Sequence, residues 1–205
     1  MNTEKCNKTG VIILAAGSGT RFGQKKQFVE FQGEPLWKKT YKLSLELVSD
    51  HNIVVVGVDI EGGKTRTGSV SRGLEYLKSR DIKQVAIVEA ARPLLQNRQL
   101  YELISTVGDS KTFVKPLVNT VIGKDKTYYD RDKMYELLTP QCFNYEKLRE
   151  AYDSNNFLDM TDDTRIMWEY HRIAPVFIEG GENLLKVTYP KDIHIINQLA
   201  GGLSE

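Results

Sequence analysis

Val11-Ile12-Ile13-Leu14-Ala15-Ala16-Gly17-Ser18-Gly19 is the stretch that decides the fold. An apolar run without alternation reads as a strand buried on both faces, and the glycines after it read as a tight turn at the strand's carboxyl end. Working outward, Leu36, Tyr41, Leu43, Leu45, Leu47 and Val48, separated by lysines and a glutamate, predict a helix. His51-Asn52 interrupts it, and Ile53 to Val58 is a second, β-branched strand. Ser69 to Leu77 then predicts a helix, Val85 to Val88 a strand, and Gln99 to Val107 a further helix. This repeated succession of strand and helix is the pattern of a parallel sheet with crossover helices.

The second half is less regular. Phe113 to Val121 is extended in character, with Pro116 excluding a helix, and Gly123 to Asp130 is polar enough for an exposed hairpin tip. Met134 to Leu138 and then Gln141 to Phe143 return to the body. Tyr145 to Tyr152 and Asp162 to Tyr170 predict helices, Ala174 to Ile178 a strand, and Pro190 to Leu199 a closing helix with Pro190 in its first turn. The chain of 205 residues therefore reads as a single α/β domain over residues 1–205, with a small protruding β-arm at about 117–132.

Composition narrows the function classes. The 28 basic residues nearly cancel the 27 acidic ones, so no global field gathers a nucleic acid or an anionic membrane. The longest apolar runs fall far short of a bilayer span, and Met1 to Gly10 lacks the hydrophobic stretch of a signal peptide, so the expected compartment is the cytoplasm. Cys6 and Cys142 show no metal-binding or disulfide spacing, and His51, His171 and His194 are scattered singly, so no protein-ligated metal is expected.

Ligands of open α/β sheets settle at the carboxyl ends of the strands. There the sequence collects Gly17 to Gly23, Gly62 to Ser69 and Glu89 to Pro93. Gly17 and Gly19 let backbone amides approach phosphate oxygens, although a glycine turn alone serves chain reversal equally well. Arg21, Lys25 and Lys26 follow with no acidic residue before Phe28, which suits a polyanionic ligand better than a solvated face does. A dinucleotide fingerprint fits poorly, because Gly17-x-Gly19-x-x-x-Gly23 is one residue too long, and a P-loop lacks its Gly-Lys-Ser/Thr ending.

Leu14-Ala15-Ala16-Gly17-Ser18-Gly19-Thr20-Arg21-Phe22-Gly23, with Lys26-Gln27-Phe28, resembles the signature of the sugar-phosphate nucleotidylyltransferases. Further blocks follow in order: Gly63 to Val70, Glu89-Ala90-Ala91-Arg92-Pro93, Leu138-Thr139-Pro140-Gln141 and Leu185 to Asp192. Together they are similar to the 2-C-methyl-D-erythritol 4-phosphate cytidylyltransferase family and its relatives acting on ribitol 5-phosphate.

The resemblance implies a Rossmann-like nucleotidyltransferase fold, with a mostly parallel sheet and helices on both faces. It implies attack of a polyol phosphate on the α-phosphorus of CTP, releasing pyrophosphate. Arg21, Lys26 and Lys186 would be the catalytic cations. Ala15, Ala16, Gly17, Ser18, Gly19, Gly63, Arg66, Ser69, Glu89 and Ala90 would bind CTP. Glu89, Arg92, Thr120, Arg131, Thr139 and Thr161 would face the acceptor, with Arg131 delivered across a homodimer interface by the arm. Mg²⁺ would be held largely by nucleotide phosphate oxygens and water. The partners are CTP and a small polyol phosphate.

Several positions depart from the family pattern. Val88-Glu89 stands where the family has His-Asp, Lys25 replaces the proline before Lys-Gln, and Asn119 replaces the aspartate before Thr120. The connection from Val58 to Gly63 is short and the arm is trimmed. These changes bear chiefly on the acceptor. Methylerythritol phosphate is the first candidate; ribitol or glycerol phosphate of cell-surface polymer synthesis, and a non-catalytic nucleotide-binding regulator, stay open.

Overall fold

Strand β1 (Thr9–Leu14) is buried on both faces, as its unbroken apolar run predicts. Val11 and Ile13 pack into one core and Ile12 into the other. The computed structural model describes residues 6–156, 160–180 and 182–202.

After β1 come a hairpin of β2 (Glu30–Phe31) and β3 (Glu34–Pro35), helix α1 (Leu36–Leu45) and β4 (Ile53–Val56). Helix α2 (Arg66–Tyr76), β5 (Gln84–Glu89), α3 (Asn97–Ser105) and β6 (Ser110–Pro116) follow. A small hairpin pairs β7 (Val121–Ile122) with β8 (Tyr128–Tyr129), and the long β9 (Tyr135–Asn144) returns to the body. Helices α4 (Tyr145–Asp153) and α5 (Asp163–His171), β10 (Val176–Glu179) and α6 (Asp192–Gly202) complete the order.

The central sheet runs β10-β6-β9-β5-β1-β4, with β9 alone antiparallel to its neighbours. Leu100, Leu103 and Ile104 of α3, with Trp37 and Tyr41 of α1, cover one face. Val70 and Leu74 of α2, Leu148 of α4 and Ile166 of α5 cover the other. A third core joins Ile196 and Ala200 of α6 to Phe22, Phe31 and Val187. It clamps the segment after the glycine turn against the closing helix, above the carboxyl ends of the strands.

Three differences from the sequence expectation have local causes. The strand expected to Val58 stops at Val56, because Gly57 turns the chain at φ +104° and donates its amide to Ile60 O at 2.7 Å. A Cβ there would lie 2.6 Å from Ala15 O, so only glycine lets the two strand ends pass this closely. The segments 134–138 and 141–143 form one continuous strand: Thr112 pairs with Gln141 but Phe113 pairs with Leu138, leaving Thr139 and Pro140 as a bulge. Such a bulge is where a sheet can hold a proline that donates no ladder bond. Finally, α2 starts at Arg66 rather than Ser69, because Thr65 Oγ1 accepts from the Gly68 amide at 3.0 Å and caps it.

Cys6 and Cys142 are both buried free thiols. Among the described residues, no helix is long and apolar enough to cross a membrane.

Candidate active site

The carboxyl ends of β1 and β5 and the amino end of α2 converge on a cavity of about 520 Å³. From β1 the chain enters the loop Ala15 to Gly19. Gly19, at φ +70°, accepts from the amides of Phe22 and Gly23 at 2.8 and 2.9 Å, and buried Phe22 pins the turn into the third core. A Cβ on Gly19 would lie 1.7 Å from Gln24 O. The turn thereby leaves Arg21 exposed at the cavity edge, while Lys26 donates to Val187 O at 2.8 Å.

A second wall comes from α2. The Gly63 amide donates to Ser69 Oγ at 3.1 Å, and Ser69 Oγ donates to Thr65 O at the same distance. Ser69 thus ties the approach loop to the first turn of the helix. Gly63 itself passes so near Gly68 that a Cβ would sit 2.4 Å from its carbonyl carbon.

The third wall is the end of β5. Glu89 Oε2 pairs with Lys186 Nζ, and Glu89 Oε1 lies 3.6 Å from Arg66 Nε. Arg66 Nη2 in turn lies 2.7 Å from Asp163 Oδ2, a fully buried carboxylate. The Val187 amide donates to Ala91 O at 2.8 Å, and Arg92 donates to Leu184 O, so the segment bearing Lys186 is fixed beside β5.

Burial raises the Glu89 pKa, but Lys186 and Arg66 outweigh it and hold the carboxyl below the ordinary glutamate value. Burial and then repulsion from Lys186 lower the Lys26 pKa, partly opposed by Glu89. For Arg66, burial disfavours the charge, yet Asp163 more than compensates and the pKa is raised.

Of the residues expected in the site, Ala15, Ala16, Gly17, Ser18, Arg21, Lys26, Gly63, Arg66, Ser69, Glu89, Ala90 and Lys186 line this cavity. Gly19 lines an adjoining recess of about 200 Å³ with Thr188. The acceptor-side expectations are dispersed. Arg92 and Thr139 are buried outside the cavity lining, where Arg92 Nε donates to Thr139 Oγ1 at 2.7 Å. Thr120 and Arg131 are exposed around the β7–β8 hairpin, where Arg131 donates to Val118 O. Thr161 is exposed just before α5. Sequence reasoning left Gln27 and Lys64 unassigned in the lining, and missed Asp163 behind it. Arg21, Lys26, Lys64, Arg66 and Lys186 face a single carboxylate, Glu89, so the cavity suits a polyanion.

A family model described as IspD, 2-C-methyl-D-erythritol 4-phosphate cytidylyltransferase, matches residues 9–200. The protein of that name from Thermotoga neapolitana is 31% identical over 216 residues, covering 92% of this chain and 95% of its own. The chain belongs to the 2-C-methyl-D-erythritol 4-phosphate cytidylyltransferase family. It is accordingly a nucleotidyltransferase, and the glycine turn after β1 lines the cavity. Solved structures agree on the fold. The bifunctional IspDF of Campylobacter jejuni superposes with a TM-score of 0.79 at 29% identity, over 92% of this chain and 54% of that longer one. The Francisella tularensis 2-C-methyl-D-erythritol 4-phosphate cytidylyltransferase gives 0.77 at 25% identity, over 94% and 99%.

Proposed function

We propose that the chain transfers CMP from CTP to 2-C-methyl-D-erythritol 4-phosphate, giving the CDP-alcohol and pyrophosphate. The observation that carries this reading is the convergence of Arg21, Lys26 and Lys186 on one cavity beside the glycine turn, in a chain matched to the family over residues 9–200.

A phosphate monoester has a second pKa of about 6 and is largely dianionic at neutral pH, so the nucleophile needs no general base. The work left to the protein is to bring two anions together and stabilise the charge that builds at the α-phosphorus. Amides of Ala15 to Gly19 cradle the phosphates. Arg21 and Lys26 hold the triphosphate and the leaving pyrophosphate, while Lys186 bridges the α-phosphate and the incoming phosphate. Gly63, Arg66, Ser69 and Ala90 bound the cytidine side, and Glu89 reaches ribose or acceptor hydroxyls.

Among the described residues, no group of three or more His, Cys, Asp or Glu is placed to hold a metal. Mg²⁺ entering the cavity with the nucleotide would take its oxygens chiefly from the phosphates and water. Bound there, the ion would neutralise phosphate charge during the displacement.

On the acceptor side, Thr161 precedes α5, and Arg92, bonded to Thr139, holds the Leu184 carbonyl. Thr120 and Arg131 would act in a homodimer, a state favoured by exposed Val118, Ile122, Tyr128 and Tyr129 on the hairpin. The domain is proposed to be single, residues 1–205, with its arm at about 117–132, and to work in the cytoplasm on CTP and a polyol phosphate. Pyrophosphate release from CTP and Mg²⁺ with a panel of polyol phosphates tests the reaction. Release with methylerythritol phosphate is expected. Turnover confined to ribitol or glycerol phosphate would reassign the acceptor, and CTP binding without turnover on any acceptor would make the chain a nucleotide-binding regulator.

A further inference from the structure

Asp163 opens α5, is fully buried, and does not serve as that helix's cap. Its neighbour Asp162 does: Asp162 Oδ1 accepts from the amides of Thr164 and Arg165 at 2.9 and 3.4 Å, while its Oδ2 accepts from Gln141 Nε2 at 2.8 Å. Two adjacent aspartates therefore divide the labour. One completes the helix end. The other turns inward, receives the Tyr152 hydroxyl on Oδ1, and places Oδ2 2.7 Å from Arg66 Nη2.

A carboxylate buried this completely is costly to desolvate, and a well-packed apolar group of similar volume often stabilises a fold at least as well. The arrangement makes sense through Arg66. That guanidinium lies between Asp163 and Glu89, and Glu89 also pairs with Lys186. The result is a chain of alternating charge, Asp163, Arg66, Glu89, Lys186, running from the core to the cavity. Without Asp163 at its inner end, Arg66 has only Glu89 as an anionic partner and would swing toward it. That movement would displace the cavity wall and compete with Lys186 for the same carboxylate.

We propose that Asp163, supported by the Tyr152 hydroxyl, is the positioning residue that holds Arg66 in the wall of the nucleotide cavity. The proposal rests on the reading of that cavity as the CTP site. It also assigns a purpose to α5, whose amino end joins the acceptor-side Thr161 to the nucleotide wall within consecutive residues.

The test is calorimetric titration of CTP into the full chain and into Asp163→Asn, Tyr152→Phe, Arg66→Ala and the Arg66→Ala/Asp163→Asn double variant, each checked for folding by its melting curve. Asp163→Asn is expected to weaken CTP binding by about tenfold or more, the scale of a lost charge-assisted contact. Tyr152→Phe should weaken it less. The double variant should bind no more weakly than Arg66→Ala, because Asp163 acts only through that side chain. A general packing role would instead lower affinity independently of Arg66, so additive losses overturn the proposal, as does a folded Asp163→Asn chain that binds CTP like wild type. If Asp163→Asn does not fold, Tyr152→Phe is measured with Arg66 present and with Arg66→Ala. A loss of affinity confined to the chain that keeps Arg66 then supports the proposal, and an equal loss in both, or none in either, overturns it. Wild-type chain that fails to bind CTP would overturn the cavity reading and this proposal together, whereas equal binding by wild type and the variants overturns the positioning role alone.

Discussion

Lys186 Nζ contacts Glu89 Oε2 across the cavity, and the opposite oxygen of the same carboxylate faces Arg66 Nε at 3.6 Å. One glutamate therefore places two cations from distant parts of the chain. Lys186 comes from the irregular segment before α6, which is tied to β5 by the bond from the Val187 amide to Ala91 O. The cation is thus carried on a fixed backbone, with a counter-ion that phosphate can replace.

Lys186→Ala should lower kcat by about a hundredfold or more, the range seen when one preorganised charge-stabilising donor is removed. The affinity for CTP should change much less, because Arg21 and Lys26, the cations proposed to hold the triphosphate, still line the cavity. Steady-state pyrophosphate release combined with calorimetric CTP titration separates the two. Near-normal turnover would refute the role given to Lys186.

Glu89→Gln reports on the same cluster through pH. The Glu89 carboxyl is held below its ordinary value, so the native state favours its charged form over that of the unfolded chain, whose pKa is about 4.3. Its contribution is complete above the unfolded value and is lost as pH falls through the folded one. Urea denaturation of wild type and variant should show a stability difference that is flat from pH 8 to about 5 and shrinks only below about 4.3. A difference already shrinking near pH 6 would mean that burial, not the cations, governs this carboxyl.

The parts of this site legible in the sequence are those written in contiguous residues. The apolar run into Gly17 marked both the buried strand and the turn, and Arg21 and Lys26 after it line the cavity. What was not legible depends on distant partners. The sequence shows segments 134–138 and 141–143 apart, yet the sheet joins them into one strand, with Thr139 and Pro140 outside the β6 register. Arg66 and Asp163 meet only because α2 and α5 cover the same face of the sheet. The one local hint was the adjacent aspartates Asp162 and Asp163, since a helix end needs only one as its cap.

Thr139→Val should reveal a structural function for the Thr-Pro bulge. Thr139 Oγ1 accepts from Arg92 Nε at 2.7 Å in a buried setting, and Arg92 also holds Leu184 O near the Lys186 segment. Valine keeps the shape but leaves a buried guanidinium N–H without its acceptor, at a cost of about 1–3 kcal/mol. Chemical denaturation should show that loss. Unchanged stability would mean that Arg92 finds another acceptor and that the bulge does not anchor the Lys186 segment.

Lys26 should display a conflict between stability and function. Its pKa is lowered by burial and by Lys186, so in the native state its charge is disfavoured relative to an unfolded lysine near 10.4. Between the folded and unfolded values the unfolded chain binds more protons, and stability rises with pH across that window. At pH 7 the ammonium is therefore a destabilising group, and the proposed contact with the triphosphate gives it a function. Lys26→Met should raise Tm, by roughly 2–4 °C per kcal/mol for a chain of this size, while weakening CTP binding about tenfold or more. The Tm gain over wild type should shrink as pH approaches 10.4, where Lys26 loses its proton in both states. Scanning calorimetry across that range with CTP titration at pH 7 tests both halves. A variant less stable than wild type at pH 7 would show that the bond from Lys26 to Val187 O outweighs the cost of the buried charge.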